Sequence, residues 1–165
     1  MSKPRWLYWT AFIVSFAAVL WIMFPISGGN TKDGARSTAC LSNLKQLGVA
    51  FSLYTEENSS RLPPTKFWID RLEPFLKYKD PFSCPGLWRN GEPNGFGYAM
   101  NQFMNGAKID EALAEKMPVL WDSNQLQRNA AEYWPNLPVP SRHNKKNNVL
   151  FADAHVKGYR TEPND

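Results

Sequence analysis

Histidine and cysteine are scarce, with two of each in 165 residues. Neither Cys40 nor Cys84 has a second cysteine at the two-residue spacing of zinc ribbons and thioredoxin-like redox motifs. Spacing therefore supports neither chemistry. A Gly-x-Ser-x-Gly elbow is absent. The glycines at 91, 95 and 97 lack the spacing and the following helix of a phosphate-binding loop. The net charge is only +4 and dispersed, and Lys145-Lys146 is not interleaved with aromatics, so a nucleic-acid partner is not expected. Acidic residues are missing altogether from positions 6–24.

That acid-free stretch is also free of basic residues, and its nineteen positions form an apolar run of about 28 Å if helical. It is long enough to predict a transmembrane helix. Trp6, Trp9 and Trp21 sit toward its ends as interfacial aromatics, with Phe16 and Phe24 among its lipid-facing residues. Lys3 and Arg5 precede it, which predicts a cytoplasmic N-terminus and an extracytoplasmic C-terminal part of a single-pass protein. A cleaved signal peptide is the competing reading. The length of the apolar region and the poor small-residue site at 26–29 speak against it.

The expected organisation is an anchor at 1–24, a Pro/Gly-rich linker at 25–34, one domain at 35–160 and a tail at 161–165. Thirteen prolines and ten glycines predict many loops. Over 35–57, Cys40, Leu44, Leu47, Phe51 and Tyr54 recur at spacings of four, three, four and three, which places them on one face of an amphipathic helix. Glu56 and Glu57 are adjacent on it and diverge by about 100°, so they are a solvated end rather than a carboxylate pair. The Pro63-Pro64 pair stops the helix. A short helix is predicted over 67–78, short strands over 97–101 and 119–121, and weak helicity over 108–117. A long loop is predicted over 125–141. Strands over 148–152 and 155–159 are expected to pair antiparallel around a two-residue turn at Asp153-Ala154. The expected fold class is α+β, with the long helix packed on a small antiparallel sheet.

In an oxidising compartment Cys40 and Cys84 form one disulfide; the alternative is two buried free thiols. Trp68, Trp88, Trp121 and Trp134 either fill the core or mark a protein or glycan contact. Asp122, His143, Asp153 and His155 are the remaining candidates for chemistry. As metal ligands Asp122, His143 and Asp153 would suit a divalent cation, although their spacing fits no zinc pattern and they offer too few oxygens for calcium. The simpler reading is that Asp153 accepts backbone hydrogen bonds in the turn and His143 ties the long loop to the last strands.

Several strings resemble, in order, the type II secretion pseudopilin-like proteins that end in an H-x9-D-G motif. These are ACLSNLKQLG at 39–48, RLPP at 61–64, FSCP at 82–85, GYAMN at 97–101, DS at 122–123, RHN at 142–144 and NVLFADAHVK at 148–157. His143 and Asp153 have the motif's nine intervening residues. The chain departs from the family in three respects. A Gly-Phe processing site and the glutamate of the apolar segment are absent, Pro25, Gly28, Gly29 and Gly34 interrupt the helical spine, and Ala154 replaces the motif glycine.

The resemblance implies a pseudopilin-like fold on a plain anchor, with Asn43, Tyr98, Asn101, Asp122, His143, Asp153 and His155 as motif or structural residues. It also implies a non-enzymatic, accessory or derived component of a type II secretion or pilus-like system. The expected partners are a lipid bilayer and other pilin-like subunits or secretion-system inner-membrane proteins, in a bacterial inner-membrane setting with no cofactor required. The alternative is a free-standing anchored module that binds a glycan, peptide or metal.

Overall fold

The computed structural model describes residues 9, 13–17, 31–77, 81–90 and 95–161. The chain divides into two units, Met1–Thr31 and Lys32–Asp165. In the first, Trp9 and residues 13–17 are helical, and Trp9 and Phe16 are exposed. Trp6, Trp21 and Phe24 lie outside the described residues. The expected membrane-spanning helix is corrected here: among the described residues no helix is long and apolar enough to cross a membrane.

Among the described residues the long helix is α1 (Thr31–Glu57), which is amphipathic, with Lys32, Asp33, Arg36, Lys45, Glu56 and Glu57 along it. It starts at Thr31, ahead of the expected position 35, and runs through Gly34, a residue that weakens helices without forbidding them. Its inner stripe is the one the periodicity predicts: Cys40, Leu44, Leu47 and Phe51 are buried and Tyr54 is half-buried. After the Pro63-Pro64 stop comes α2 (Trp68–Leu72), a short helix flanked by 3-10 turns at Thr65–Phe67 and Glu73–Phe75. Trp68 is fully buried between Phe51, at a ring distance of 6.3 Å, and Phe82, at 5.8 Å.

The sheet has five strands: β1 (Tyr98–Asn101), β2 (Pro118–Asp122), β3 (Ala131–Glu132), β4 (Asn147–Phe151) and β5 (Val156–Tyr159). Their order is β3-β1-β2-β4-β5. Three pairings are antiparallel, but β3 runs parallel to β1, with Met100 opposite Ala131. The sheet is therefore mixed, which corrects the expected antiparallel one. The physical reason is that β2 ends opposite Tyr98, at the start of β1, and the 123–130 connection carries the chain past β1 to run back along its other edge in the same direction as β1.

Alternation along the strands splits the core. Tyr98, Met100, Leu120 and Leu150 pack toward α1. Trp121, Val149 and Phe151 point the other way, where Trp134, Leu137 and Tyr159 cover them. The proline-rich segment after β3 is thus a lid over the second face, with Trp134 edge-on to both Trp121 (5.3 Å) and Tyr159 (5.7 Å).

The β4–β5 hairpin is present, but its loop has three residues rather than two. Ala154 N–H donates to Phe151 O at 2.9 Å and Phe151 N–H to His155 O at 3.0 Å, leaving Ala154 at φ +68°. This is the hairpin loop whose last residue must be left-handed, the position where glycine is preferred.

Candidate functional site

Where the C-terminal end of β2 meets the start of β4, the chain buries an unusual amount of polar chemistry. Cys40, on the inner stripe of α1, is bonded to Cys84, and both are fully buried. The surroundings hold the bridge in place. Asn43 Nδ2 donates to Ser83 O at 2.8 Å, Tyr98 OH to Cys40 O at 3.3 Å and Gly86 N–H to Cys40 Sγ at 3.4 Å. Gly97 lies so near that a Cβ there would come within 2.6 Å of the Cys84 Cβ. Only glycine lets β1 start at this point.

His143 reaches the bridge from the opposite side. Residues 143–146 form a tight turn closed by reciprocal 2.8 Å backbone hydrogen bonds between His143 and Lys146, with Asn144 and Lys145 both at positive φ. Two left-handed central residues are the signature of the hairpin turn that matches strand twist, and Asn is suited to the first. The turn aims the imidazole inward: Nε2 sits 3.4 Å from Cys84 Sγ and 3.4 Å from Asp122 Oδ2. A Cβ on Gly86 would strike His143 Cε1 at 2.7 Å, so that glycine makes room for the ring.

Asp122 is fully buried at the end of β2. Its Oδ2 accepts the Asn148 N–H at 2.6 Å, while Oδ1 has no hydrogen-bond partner and faces the Arg142 guanidinium at 3.6 Å. Arg142 itself donates to Gly97 O at 2.6 Å and to Ser123 O. One cation therefore joins β1, β2 and the turn before β4. A second polar knot lies behind it: the buried Glu132 carboxylate accepts from Ser123 Oγ at 2.8 Å, Asn136 Nδ2 at 3.0 Å and Trp121 Nε1 at 3.3 Å.

Asp153 and His155 are elsewhere, at the far end of β4. Asp153 is five positions beyond Asn148, in the turn past the end of β4, and the strand from Asn148 to Phe151 alone covers about 10 Å. Asp122, His143 and Asp153 therefore do not converge on one ion. Asp153 Oδ1 accepts the His155 N–H at 3.1 Å and faces its Nδ1 at 2.6 Å. Partial burial pushes the Asp153 carboxyl up, but the backbone N–H and ring of His155 outweigh it and hold the carboxyl below its ordinary value. Asn101 caps the turn after β1, accepting from Phe103 N–H at 3.1 Å and donating to Pro118 O at 2.8 Å. The nine-residue spacing of His143 and Asp153 thus measures β4 with its two flanking turns.

Among the described residues, the group that could bring metal-binding atoms together is Cys40, Cys84 and His143, whose ligand atoms lie within 4.8 Å of one another. Sequence reasoning paired Cys40 with Cys84 but did not join His143 to them. It missed Arg142 and Glu132 as buried charges, because their partners are distant in sequence and nothing local marks them. An open cleft of about 480 Å³ between the end of α1 and α2 presents Glu57 and Asp70, but Asp70 is engaged by Arg128 at 2.7 Å and Asn129 at 2.6 Å. No family model, curated protein or solved structure matches the chain.

Proposed function

We propose that this chain is a pseudopilin-like structural protein, an accessory or derived subunit of a type II secretion or pilus-like assembly, acting in an oxidising, extracytoplasmic compartment. The observation that carries this reading is how the motif residues are used. Asn43, Tyr98, Asn101, Asp122, His143 and Asp153 each contact another segment or cap a turn of the same domain. Residues held in that way serve architecture. The buried disulfide agrees with an oxidising compartment. The outer side of α1 carries Val49 and Leu53, both exposed and one turn apart, opposite the stripe that packs on the sheet. In this reading that side meets a neighbouring pilin-like domain. The reading makes no use of a membrane-spanning helix.

Chemical cross-linking of the full-length protein in its native cells, followed by identification of the products, tests this. Pilin-like subunits or assembly-platform proteins in the products support the role. Products confined to the monomer contradict it.

A second reading, an extracytoplasmic binding module, is favoured by one feature. Phe103, in the 3-10 turn after β1, and Tyr133, just past β3, are both more than 60 % exposed and pack edge-on at 4.9 Å. Exposed aromatic pairs of this kind suit a glycan or peptide contact. Loss of a ligand in a Phe103→Ala, Tyr133→Ala double variant would favour it over assembly.

A further inference from the structure

We propose that the reduced form of this protein is a zinc protein, in which Cys40, Cys84, His143 and Asp122 supply a tetrahedral S2NO donor set at the place the disulfide occupies in the oxidised form. The inference is independent of the assembly reading. It rests on the geometry of one buried cluster.

Zinc holds thiolate sulfur at about 2.3 Å and imidazole nitrogen or carboxylate oxygen at about 2.0–2.2 Å. For tetrahedral angles this gives donor-to-donor edges of about 3.6 Å for S···N and about 3.4 Å for N···O. The two contacts of His143 Nε2 are 3.4 Å to Cys84 Sγ and 3.4 Å to Asp122 Oδ2. Both run from the same ring nitrogen, as edges of one coordination polyhedron must. Cys40 Sγ, Cys84 Sγ and His143 Nε2 lie within 4.8 Å of one another, and Asp122, outside that group but in contact with it through His143, reaches the fourth position by a shift toward the sulfurs. Once unbonded, the two sulfurs need only separate to about 3.8 Å, an adjustment within reach of side-chain rotation.

The surroundings suit a loaded site. Gly86 N–H already points at Cys40 Sγ, and Asn148 N–H at Asp122 Oδ2, so a thiolate and a carboxylate ligand each have a backbone donor. The Asp122 carboxylate is fully buried and makes one hydrogen bond, at Oδ2, so a cation at Oδ2 would add charge compensation to a group whose Oδ1 has no hydrogen-bond partner. Charge also closes: two thiolates and the Asp122 carboxylate balance the dication together with Arg142, 3.6 Å from Asp122. An interior with no residual charge avoids the desolvation penalty that otherwise opposes buried ions.

The chemistry balances in two steps. A dithiol donor reduces the Cys40–Cys84 bond, becoming a disulfide itself as two electrons and two protons pass to the cysteines. Zinc then displaces the two thiol protons to solvent and binds the thiolates, the neutral His143 Nε2 and Asp122. A chain made under reducing conditions takes the second step alone.

The test uses the full-length chain refolded with a phosphine reductant, in parallel with the oxidised chain, and titrated with Co2+ and then Zn2+. The reduced wild type is expected to bind one equivalent of Co2+, to give the strong visible absorption and thiolate-to-metal charge transfer of a tetrahedral site, and to release the cobalt to zinc. The oxidised chain should show neither. His143→Ala should weaken binding on the order of 100-fold, and Asp122→Asn by about tenfold or more. Because Asp122→Asn keeps an oxygen for the Asn148 N–H, it serves if His143→Ala does not fold. The proposal is overturned if the reduced wild type folds, by circular dichroism, without binding cobalt. Binding without charge transfer, or equally tight binding by both variants, overturns it as well. So does a reduced chain that remains unfolded at saturating zinc.

Discussion

Asp122 and Arg142 face each other at 3.6 Å with side chains 0 % and 5 % exposed. The pair ties the end of β2 to the turn that launches β4. It is also the centre of the polar cluster around the disulfide, because Arg142 holds Gly97 O and Asp122 holds the Asn148 N–H. A buried pair of this kind contributes little when intact and a great deal when broken, since the survivor is left as an uncompensated charge. Asp122→Ala is therefore expected to destabilise the domain by about 3–5 kcal/mol in urea unfolding. Replacing Asp122 and Arg142 together by apolar residues should cost less than either single change.

The Cys40–Cys84 bridge spans 44 positions and joins α1 to the loop that precedes β1. A loop of that length corresponds to about 4 kcal/mol of denatured-state entropy. Cys40→Ser with Cys84→Ser should lower the unfolding free energy by about that amount in the absence of metal. A loss below about 1 kcal/mol would mean that the reduced chain keeps the crosslinked segments together without the bond.

Ala154 offers the opposite sign. Its φ of +68° sits at the hairpin position that glycine fills without strain. Ala154→Gly should raise stability by about 1 kcal/mol, read as a higher Tm with an unchanged denaturant m-value. The contrary test is Gly97→Ala, whose Cβ would meet Cys84 Cβ at 2.6 Å and Cys84 N at 2.9 Å. The obstruction includes backbone, so a loss of about 1–3 kcal/mol or more is expected.

Arg128, in the connection that leads into β3, clamps α2 and the turn after it, with its NH2 group 2.7 Å from both Asp70 and Glu73. Hydrogen bonding from Arg128, reinforced by Asn129, holds the Asp70 carboxyl below its ordinary value. A carboxylate depressed in the folded state contributes stability above its unfolded pKa of about 3.9, and the contribution is lost as pH falls through the lower folded value. Arg128→Ala should therefore cost up to about 1 kcal/mol at pH 7, less at high salt, and nothing once pH is below the folded pKa.

What the sequence displays plainly is what repeats locally. The stripe of Cys40, Leu44, Leu47, Phe51 and Tyr54 was legible because helical periodicity is a short-range signal, and the hairpin because its strands are neighbours. The left-handed strain at Ala154 was signalled by the resemblance, whose motif has glycine where this chain has alanine. The two-residue β3 was not, since only its long-range pairing to β1 makes it a strand. Arg142 was hidden for the same reason: its partners Gly97, Asp122 and Ser123 are 45, 20 and 19 positions away. At the N-terminus, the apolar run at 6–24 lies mostly outside the described residues. The described residues contain no helix to match it.

The most direct test of the assembly role places a photo-activated cross-linking residue at Val49, on the outer side of α1, in the full-length protein in its native cells. A matched probe replaces Lys157, exposed on β5. The account predicts adducts with a second pilin-like domain from Val49, few from Lys157, and loss of the Val49 adducts when Leu53 is changed to Glu. Equal yields from both positions, or no protein adduct from Val49, would contradict it.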